Sequence, residues 1–367
     1  MKRMSLPLRL AFAPALLSGV LVLGGCGDDA EPCCESPDSK VTSELIVTFT
    51  DQVVVPTYAR LATRLTDLDA ACKALATAPS ADKLSAAKQA WQAARVPWEQ
   101  SEGFLFGPAD SFSLDPAMDN WPLNHADLEG VLAGDKVLTP QFVRGLPDTQ
   151  KGFHTVEYLI FGDGGAKTVA QITPREFEYL VATSEDLKSV GEELHDRWRK
   201  SVDGNAPFRD TLATAGQAGN SAYPSVHAAA QEIVKGVITI LDEVANGKIA
   251  EPFDSGDPNS VESQFAYNSL SDFTNNIRSV ENVYLGHLQG ETKKGTSLQD
   301  VVGAGSALDV KIRGQIAASI SALAAIPEPF REAINDDASA DEIRAAQTAI
   351  RTLLGTFQGE VQPLVSK

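Results

Sequence analysis

The chain has 367 residues, enough for one large domain or two of ordinary size. Its 49 acidic and 31 basic side chains give a formal charge of −18, a surface that repels nucleic acid and anionic headgroups and so excludes a function built on binding either. Only one run, at the N-terminus, is apolar enough to raise the question of a membrane span.

That run begins behind a basic stretch (Lys2, Arg3, Arg9) and extends from Leu10 to Leu23, interrupted by Pro14, Ser18 and Gly19. A span needs about 20 apolar residues, so this segment reads instead as a secretory signal, residues 1–25. It ends in Leu23-Gly24-Gly25-Cys26, which resembles a bacterial lipobox, with small residues for the peptidase and a Cys26 thiol to carry the lipid. The alternative is an ordinary signal with an incidental Cys. Lipidation predicts a mature chain tethered at Cys26 in a bacterial cell envelope. Gly27, not Asp, follows the Cys, so the periplasmic side of the outer membrane is the expected address. Removing Lys2, Arg3 and Arg9 with the signal takes the formal charge from −18 to −21. Residues 26–40 are acidic and Pro-containing, the composition of a linker. Cys33 and Cys34 within it and Cys72 beyond it leave an odd number of thiols once Cys26 is lipidated, which defines no disulfide framework.

From Ser43 to Thr77 apolar residues recur at helical spacing (Leu45, Ile46, Phe49, Val53, Tyr58, Leu61, Leu65), with Pro56 expected to kink or divide the run. Ser80-Ala81-Asp82-Lys83 starts a second helix, which passes Trp91, Arg95 and Trp98 and stops at Gly107-Pro108. Residues 110–138 are irregular apart from a short helix near His125. Thr173-Pro174-Arg175-Glu176 is a capping box with Pro at the first helical position, opening a helix toward Trp198 and Val202. Asp203-Gly204-Asn205-Ala206-Pro207 is the best domain boundary. After it come a helix from Pro224 to Ala245, closed by Asn246-Gly247, and a loop from Glu251 to Pro258. Long helices then span Val261–Leu288, Ser306–Ala325 and Ala338–Leu364. No alternating strands appear. The fold class is therefore all-α, read as two helical bundles in tandem with a cleft between them, over residues 41–205 and 206–367.

Chemistry concentrates in Gly152-Phe153-His154-Thr155-Val156-Glu157-Tyr158. On a helix His154 and Glu157 share a face in an apolar setting. Such a pair serves as a metal half-site, an acid–base pair or a satisfied structural pair. Zinc peptidase motifs are missing: there is no His-Glu-x-x-His, and Tyr158 stands where the inverted form needs His. Glu192-x-x-His195 offers one half of a di-iron pattern, but His154–Glu157 runs in the opposite order. Glu102, among Trp98, Phe104 and Phe106, is either paired with Arg95 or a ligand. Asp115 and Asp119 read as caps and turn formers or as hard oxygen ligands. His125 and His227 read as structural. Ser269, Asp272 and Asn276 make an unusually polar helix face, either interhelical hydrogen bonds or one wall of a cleft. A faint echo links Trp98-Glu99-Gln100-Ser101-Glu102-Gly103-Phe104 with Val261-Glu262-Ser263-Gln264-Phe265, each putting Ser, Glu and Phe close together on a helix near a loop, as a pseudo-repeat would.

Trp91-x-x-x-Arg95-x-x-Trp98-x-x-x-Glu102, Phe106-Gly107-Pro108, Trp121-Pro122, Gly152-x-His154-x-x-Glu157 and Ser269-Leu270-x-Asp272…Asn276-Ile277-Arg278 together resemble the imelysin family, also called M75 peptidases, across residues 43–364. The resemblance implies two helical bundles with a cleft lined by the Gly-x-His-x-x-Glu motif, and a link to bacterial iron uptake. It makes His154 and Glu157 metal-site candidates, with Glu102 and Asp272 as further wall residues. Iron is the metal the family implies; His, Glu and Asp suit zinc equally. Three functions follow as expectations: a non-catalytic, metal-binding lipoprotein working with envelope iron-uptake components; a metallopeptidase; or a peptide-binding module in which His154–Glu157 is structural. A fold alone does not choose among them.

Overall fold

The computed structural model describes residues 40–367. The expected signal, Cys26, Cys33, Cys34 and the expected linker through residue 39 lie outside the described residues. Apart from a single bridge between Val202 and Asn205, the described residues are helices and their connections, as an all-α reading requires. No helix among them is long and apolar enough to cross a membrane.

Eight helices carry the architecture: α1 (Val55–Thr77), α2 (Ala81–Glu99), α3 (Gly152–Phe161), α4 (Pro174–Arg199), α5 (Val226–Asp242), α6 (Ser269–Leu285), α7 (Ala307–Leu323) and α8 (Ala340–Thr356). On α1 the 3–4 spacing of Tyr58, Leu61, Leu65, Leu68, Cys72 and Leu75 puts all six inside. Each leucine so buried contributes roughly 1.5–3 kcal/mol. The Thr173/Glu176 capping box forms as expected and α4 runs unbroken to Arg199. Pro56 does not divide the first run; Ser43–Thr48 continues through a wider π-helical turn, Phe49–Val54, into α1.

α1 packs on α2 and α4, and α3 on α2 and α4. Likewise α5 packs on α6 and α8, and α7 on α6 and α8. The described residues nevertheless form one compact unit, joined where α2 meets α6 and where the turn Glu102–Phe104 meets α5 and α6. That second junction depends on two glycines. A Cβ on Gly236 of α5 would stand 2.3 Å from the Gly103 carbonyl oxygen, so the two backbones touch.

Two expected helix boundaries in the second half of the chain are overturned, and both matter for the site. Asn246-Gly247 does not end a helix: α5 continues through a π-helical turn, Glu243–Ile249, into Ala250–Ser255. The predicted Val261–Leu288 helix starts only at Ser269. Residues 261–268 instead form a folded loop with Ser263 and Tyr267 at positive φ, 51° and 56°, a conformation non-glycine residues hold only when their surroundings impose it.

Candidate metal centre

α3 begins at Gly152, whose φ is +78° and whose Cβ, if it had one, would lie 2.3 Å from the Met118 carbonyl oxygen. Only glycine permits this approach, and the approach sets His154 beside Asp119. His154 and Glu157 are buried on one face, as their spacing predicted. Glu157 Oε1 accepts the backbone N–H groups of Phe265 and Ala266, both at 2.8 Å, and Oε2 lies 2.8 Å from His154 Nδ1. A carboxylate only accepts, so Nδ1 carries the proton. The loop 261–268 therefore owes its shape to Glu157, which takes up the amides a helix would have used.

With Nδ1 committed, Nε2 is the imidazole's free corner. It is buried and lies 3.1 Å from Asp119 Oδ1, an ion-pair contact when the imidazole is protonated, outside hydrogen-bond geometry. Ligand atoms of His154, Asp119 and Glu262 fall within 4.8 Å of one another, as do those of Glu99, Glu102, Asp119 and Glu262. Polar atoms without a hydrogen bond converge here: Asn276 Oδ1, and His154 Nε2 and Glu262 Oε2, which have only ion-pair contacts, to Asp119 at 3.1 Å and to Lys248 at 3.0 Å.

Arg95, on α2, lies at the centre. It donates to Glu99, Asp119 and Glu262, approaches Asp272 at 3.5 Å, and sits against the rings of Trp91 and Phe153. The expected Arg95–Glu102 pair does not form. Glu102 instead accepts from Lys248, at 2.8 Å, and from Asn276, at 3.1 Å, while Glu99, one helical turn from Arg95, takes the guanidinium. Trp98 Nε1 donates to Asp119 at 2.5 Å.

Of the residues picked from sequence, His154 and Glu102 belong to the convergent groups. Glu157 stands behind His154 as its anchor. Asp272 accepts from Ser263 and from Asn268, at 2.7 Å, and so pins the loop. His195 lies on α4 near Arg199 and Lys200. His125 packs edge-on to Tyr158 and Phe265, and His227 Nδ1 meets the Val365 carbonyl, structural places for both. Glu99, Glu262 and Lys248 were missed and Asp119 was given a second role. Acids of the two echoing stretches, Glu99, Glu102 and Glu262, meet here, although the echo itself pointed to a repeat and not to a site.

Six buried carboxylates (Glu99, Glu102, Asp119, Glu157, Glu262, Asp272) surround Arg95, Lys248 and His154. Fully ionised, with His154 protonated, they leave an excess of three negative charges, which burial does not tolerate uncompensated. Protons take up part of it. Burial, reinforced by neighbouring acids, holds Glu99 and Glu102 well above the carboxylate range, against Arg95 and Lys248. Burial also lifts Asp272 to about 6. Asp119 is buried too, yet Arg95 and His154 hold it low. Burial pulls the His154 imidazolium down, but Asp119 and Glu157 outweigh it and hold the group at about 10. The donor set, its orphaned atoms and its surplus charge fit a divalent cation of the Mn, Fe or Zn type. A histidine whose second nitrogen is fixed by a carboxylate is the usual supporting arrangement of such a ligand.

The Imelysin family, of the M75 peptidase group, matches residues 54–357. Iron-regulated protein A of Synechococcus elongatus is 37% identical over 332 residues, covering 90% of this chain and 89% of that protein. A crystal structure from Parabacteroides distasonis, provisionally assigned as an iron-regulated protein A precursor, superposes with a TM-score of 0.79 at 30% identity, covering 90% of this chain and 97% of that one. An imelysin-like protein from Psychrobacter arcticus shares the fold, with a TM-score of 0.71 at 13% identity over 89% of this chain and 97% of that one. These matches span the helices that build the His154 site, and the chain belongs to the imelysin family.

Proposed function

We propose that this protein is a non-catalytic, metal-binding lipoprotein of the bacterial envelope that works in iron handling, with His154, Asp119 and Glu262 as its central ligands and Fe(II) as the preferred ion. The observation that carries the reading is His154 Nε2: buried within reach of the Asp119 and Glu262 carboxylates while Nδ1 is fixed by Glu157, so that a metal ion displacing the Nε2 proton would meet an oriented ligand set. Iron is chosen over zinc because two relatives matched over most of the chain are named iron-regulated proteins. Bound there, a divalent ion would offset part of the surplus charge. The chain's own part is to orient the imidazole through Glu157, to keep Asp119 ionised through Arg95, and to exclude water.

Burial and geometry favour binding over peptidase chemistry. Asp119, His154 and Glu262 are 7%, 3% and 1% exposed, leaving no open face for a polypeptide. Glu157, the carboxylate best placed to act as a general base, already has both oxygens engaged and is not free to take a proton from water. Tethering through Cys26 rests on the Leu23-Gly24-Gly25-Cys26 sequence; Cys26→Ser should move the protein from the membrane to the soluble fraction. Envelope iron-uptake components are the partners this location implies.

Anaerobic Fe(II) titration of the mature chain tests the site. Wild type should bind one ion, His154→Ala should lose it, and Glu157→Ala, removing the imidazole's anchor, should weaken it by about 10–100-fold. Equal uptake by all three proteins would remove the assignment.

A further inference from the structure

Lys248 is the least expected group in the site. Its side chain is fully buried, a rare state for lysine. Nζ lies 2.8 Å from Glu102 Oε2, 3.0 Å from Glu262 Oε2 and 3.7 Å from Glu99 Oε2, and 5.3 Å from the Trp121 ring centre. Those three acids and Asp119 form the four-carboxylate group. The ammonium thus sits where an ion shared by Glu102 and Glu262 would sit.

The backbone that delivers Lys248 also provides an alternative place for it. Lys248 lies on the π-helical turn Glu243–Ile249, where residues five apart are neighbours, so Glu243 stands one turn behind it. Glu243 and Asp115 are only half-buried and make no hydrogen bond or ion pair among the described residues. Both carboxyls feel the Lys248 charge. Two unpartnered acids therefore flank a lysine whose present partners are candidate ligands. Arg95 has no such exit, being held by four carboxylates and packed against two rings.

We infer that Lys248 is a displaceable internal cation: it holds Glu102 and Glu262 together in the metal-free protein, and turns outward to Asp115 and Glu243 when a divalent ion takes those carboxylates. The inference rests on the site being a metal site. Its physical basis is that an ammonium and a divalent ion cannot share the same oxygens in a buried pocket without strong repulsion, whereas an ammonium moved to two unpaired acids keeps a counter-charge. Lys248 then sets a threshold on affinity and keeps the empty site from collapsing on unpaired carboxylates.

Two measurements on the whole chain test it. Lys248→Met should bind Fe(II) at least about tenfold more tightly than wild type, since the competitor is gone. In wild type, an amine-acylating reagent followed by peptide mass spectrometry should modify Lys248 slowly without metal and at least about tenfold faster at saturating Fe(II), while exposed Lys136 stays constant. If wild type binds Fe(II) but Lys248→Met folds and binds no tighter, or Lys248 labelling does not respond to metal, the displacement is wrong and the metal site stands. If wild type binds no Fe(II) and His154→Ala behaves identically, the metal site and the displacement fall together. Should Lys248→Met not fold, the wild-type labelling decides alone.

Discussion

Two buried acid sites in this protein look alike in a burial map and differ in every other respect. Asp309, at the start of α7, is fully buried and saturated. It accepts from Tyr284 OH at 3.0 Å, Gln299 Nε2 at 3.1 Å, the Gly305 N–H at 2.8 Å and Arg313 Nε at 3.2 Å. Burial raises its carboxyl, but the Gly305, Gln299 and Tyr284 hydrogen bonds and Arg313 carry it below the ordinary value. The His154 site has more acids than cations, orphaned atoms, and carboxyls pushed up. Burial of a carboxylate is thus no mark of function by itself. What separates a ligand site from a structural anchor here is unspent hydrogen-bonding capacity together with surplus charge of one sign.

The largest expected effect comes from taking the central cation away. Arg95→Met leaves Glu99, Asp119, Glu262 and Asp272 without their guanidinium. Breaking a buried ion pair from one side costs about 3–5 kcal/mol, and urea unfolding should register a loss of that size. Saturating Fe(II) should return part of it, because an added cation replaces the missing charge. A loss below about 1 kcal/mol would mean that the carboxylates are neutral already and that the surplus charge is not real.

A pH series sharpens the contrast next. A carboxyl held above its unfolded value keeps its proton in the native protein after the unfolded chain has lost it. Its stabilisation is complete below the unfolded value and disappears as pH rises through the folded one. Asp272, at about 6, and Asp115, lifted to about 7 by burial and by Asp119 and Glu243, act between roughly pH 4 and 7. His154, held at about 10, has the same sign between about pH 6.5 and 10. Asp309 has the opposite sign, but its contribution is complete once pH exceeds the unfolded value, about 4. Stability should therefore fall from pH 5 to pH 8, with a slope of about 1.4 kcal/mol per pH unit for each proton retained. Asp115→Asn should flatten the lower part of the curve. A midpoint that is level or rises over this range would contradict the surplus.

Much of the architecture was legible in the sequence, and the reasons are local. Apolar spacing marked α1 from Tyr58 to Leu75, and Thr173-Pro174-x-Glu176 marked the start of α4, because periodicity and capping act within a few residues. The Gly152-x-His154-x-x-Glu157 motif was legible as a unit for the same reason. The misreadings lie where tertiary charge overrides local preference. Residues 261–268 carry helical apolar spacing, but Phe265 and Ala266 give their amides to Glu157 from α3. Asn246-Gly247 reads as a stop, yet the chain winds on through it and brings Lys248 to three acids from two other segments. Asp119 and Glu262 were not separable from ordinary caps and surface acids, because nothing near them in the chain announces His154 or Arg95. A ligand set drawn from four separate segments leaves no spacing to read.

The smallest effect is the most discriminating, because it sets matched substitutions against each other at the two sites. Asp309→Asn removes the charge from a saturated carboxylate and turns an amide donor toward groups that are themselves donors, Gly305 N–H and Arg313 Nε among them. The loss should be about 2 kcal/mol, the scale of a charge-assisted hydrogen bond with its desolvation. Glu99→Gln is the same chemical change in the other setting. Burial and neighbouring acids already favour the protonated Glu99 carboxyl, so the amide resembles the form the site prefers. Its oxygen remains to accept from Arg95, and its new donor takes the place of the oxygen that accepts from Asn276 Nδ2, so the Asn276 amide must flip to turn its buried, unpaired Oδ1 toward the new donor. The substitution should change stability by less than about 1 kcal/mol in either direction, while weakening Fe(II) binding by removing one member of the carboxylate group. Parallel calorimetry and titration of the two variants would read both quantities. If Glu99→Gln costs as much as Asp309→Asn and leaves Fe(II) binding unchanged, the His154 site is a second structural anchor.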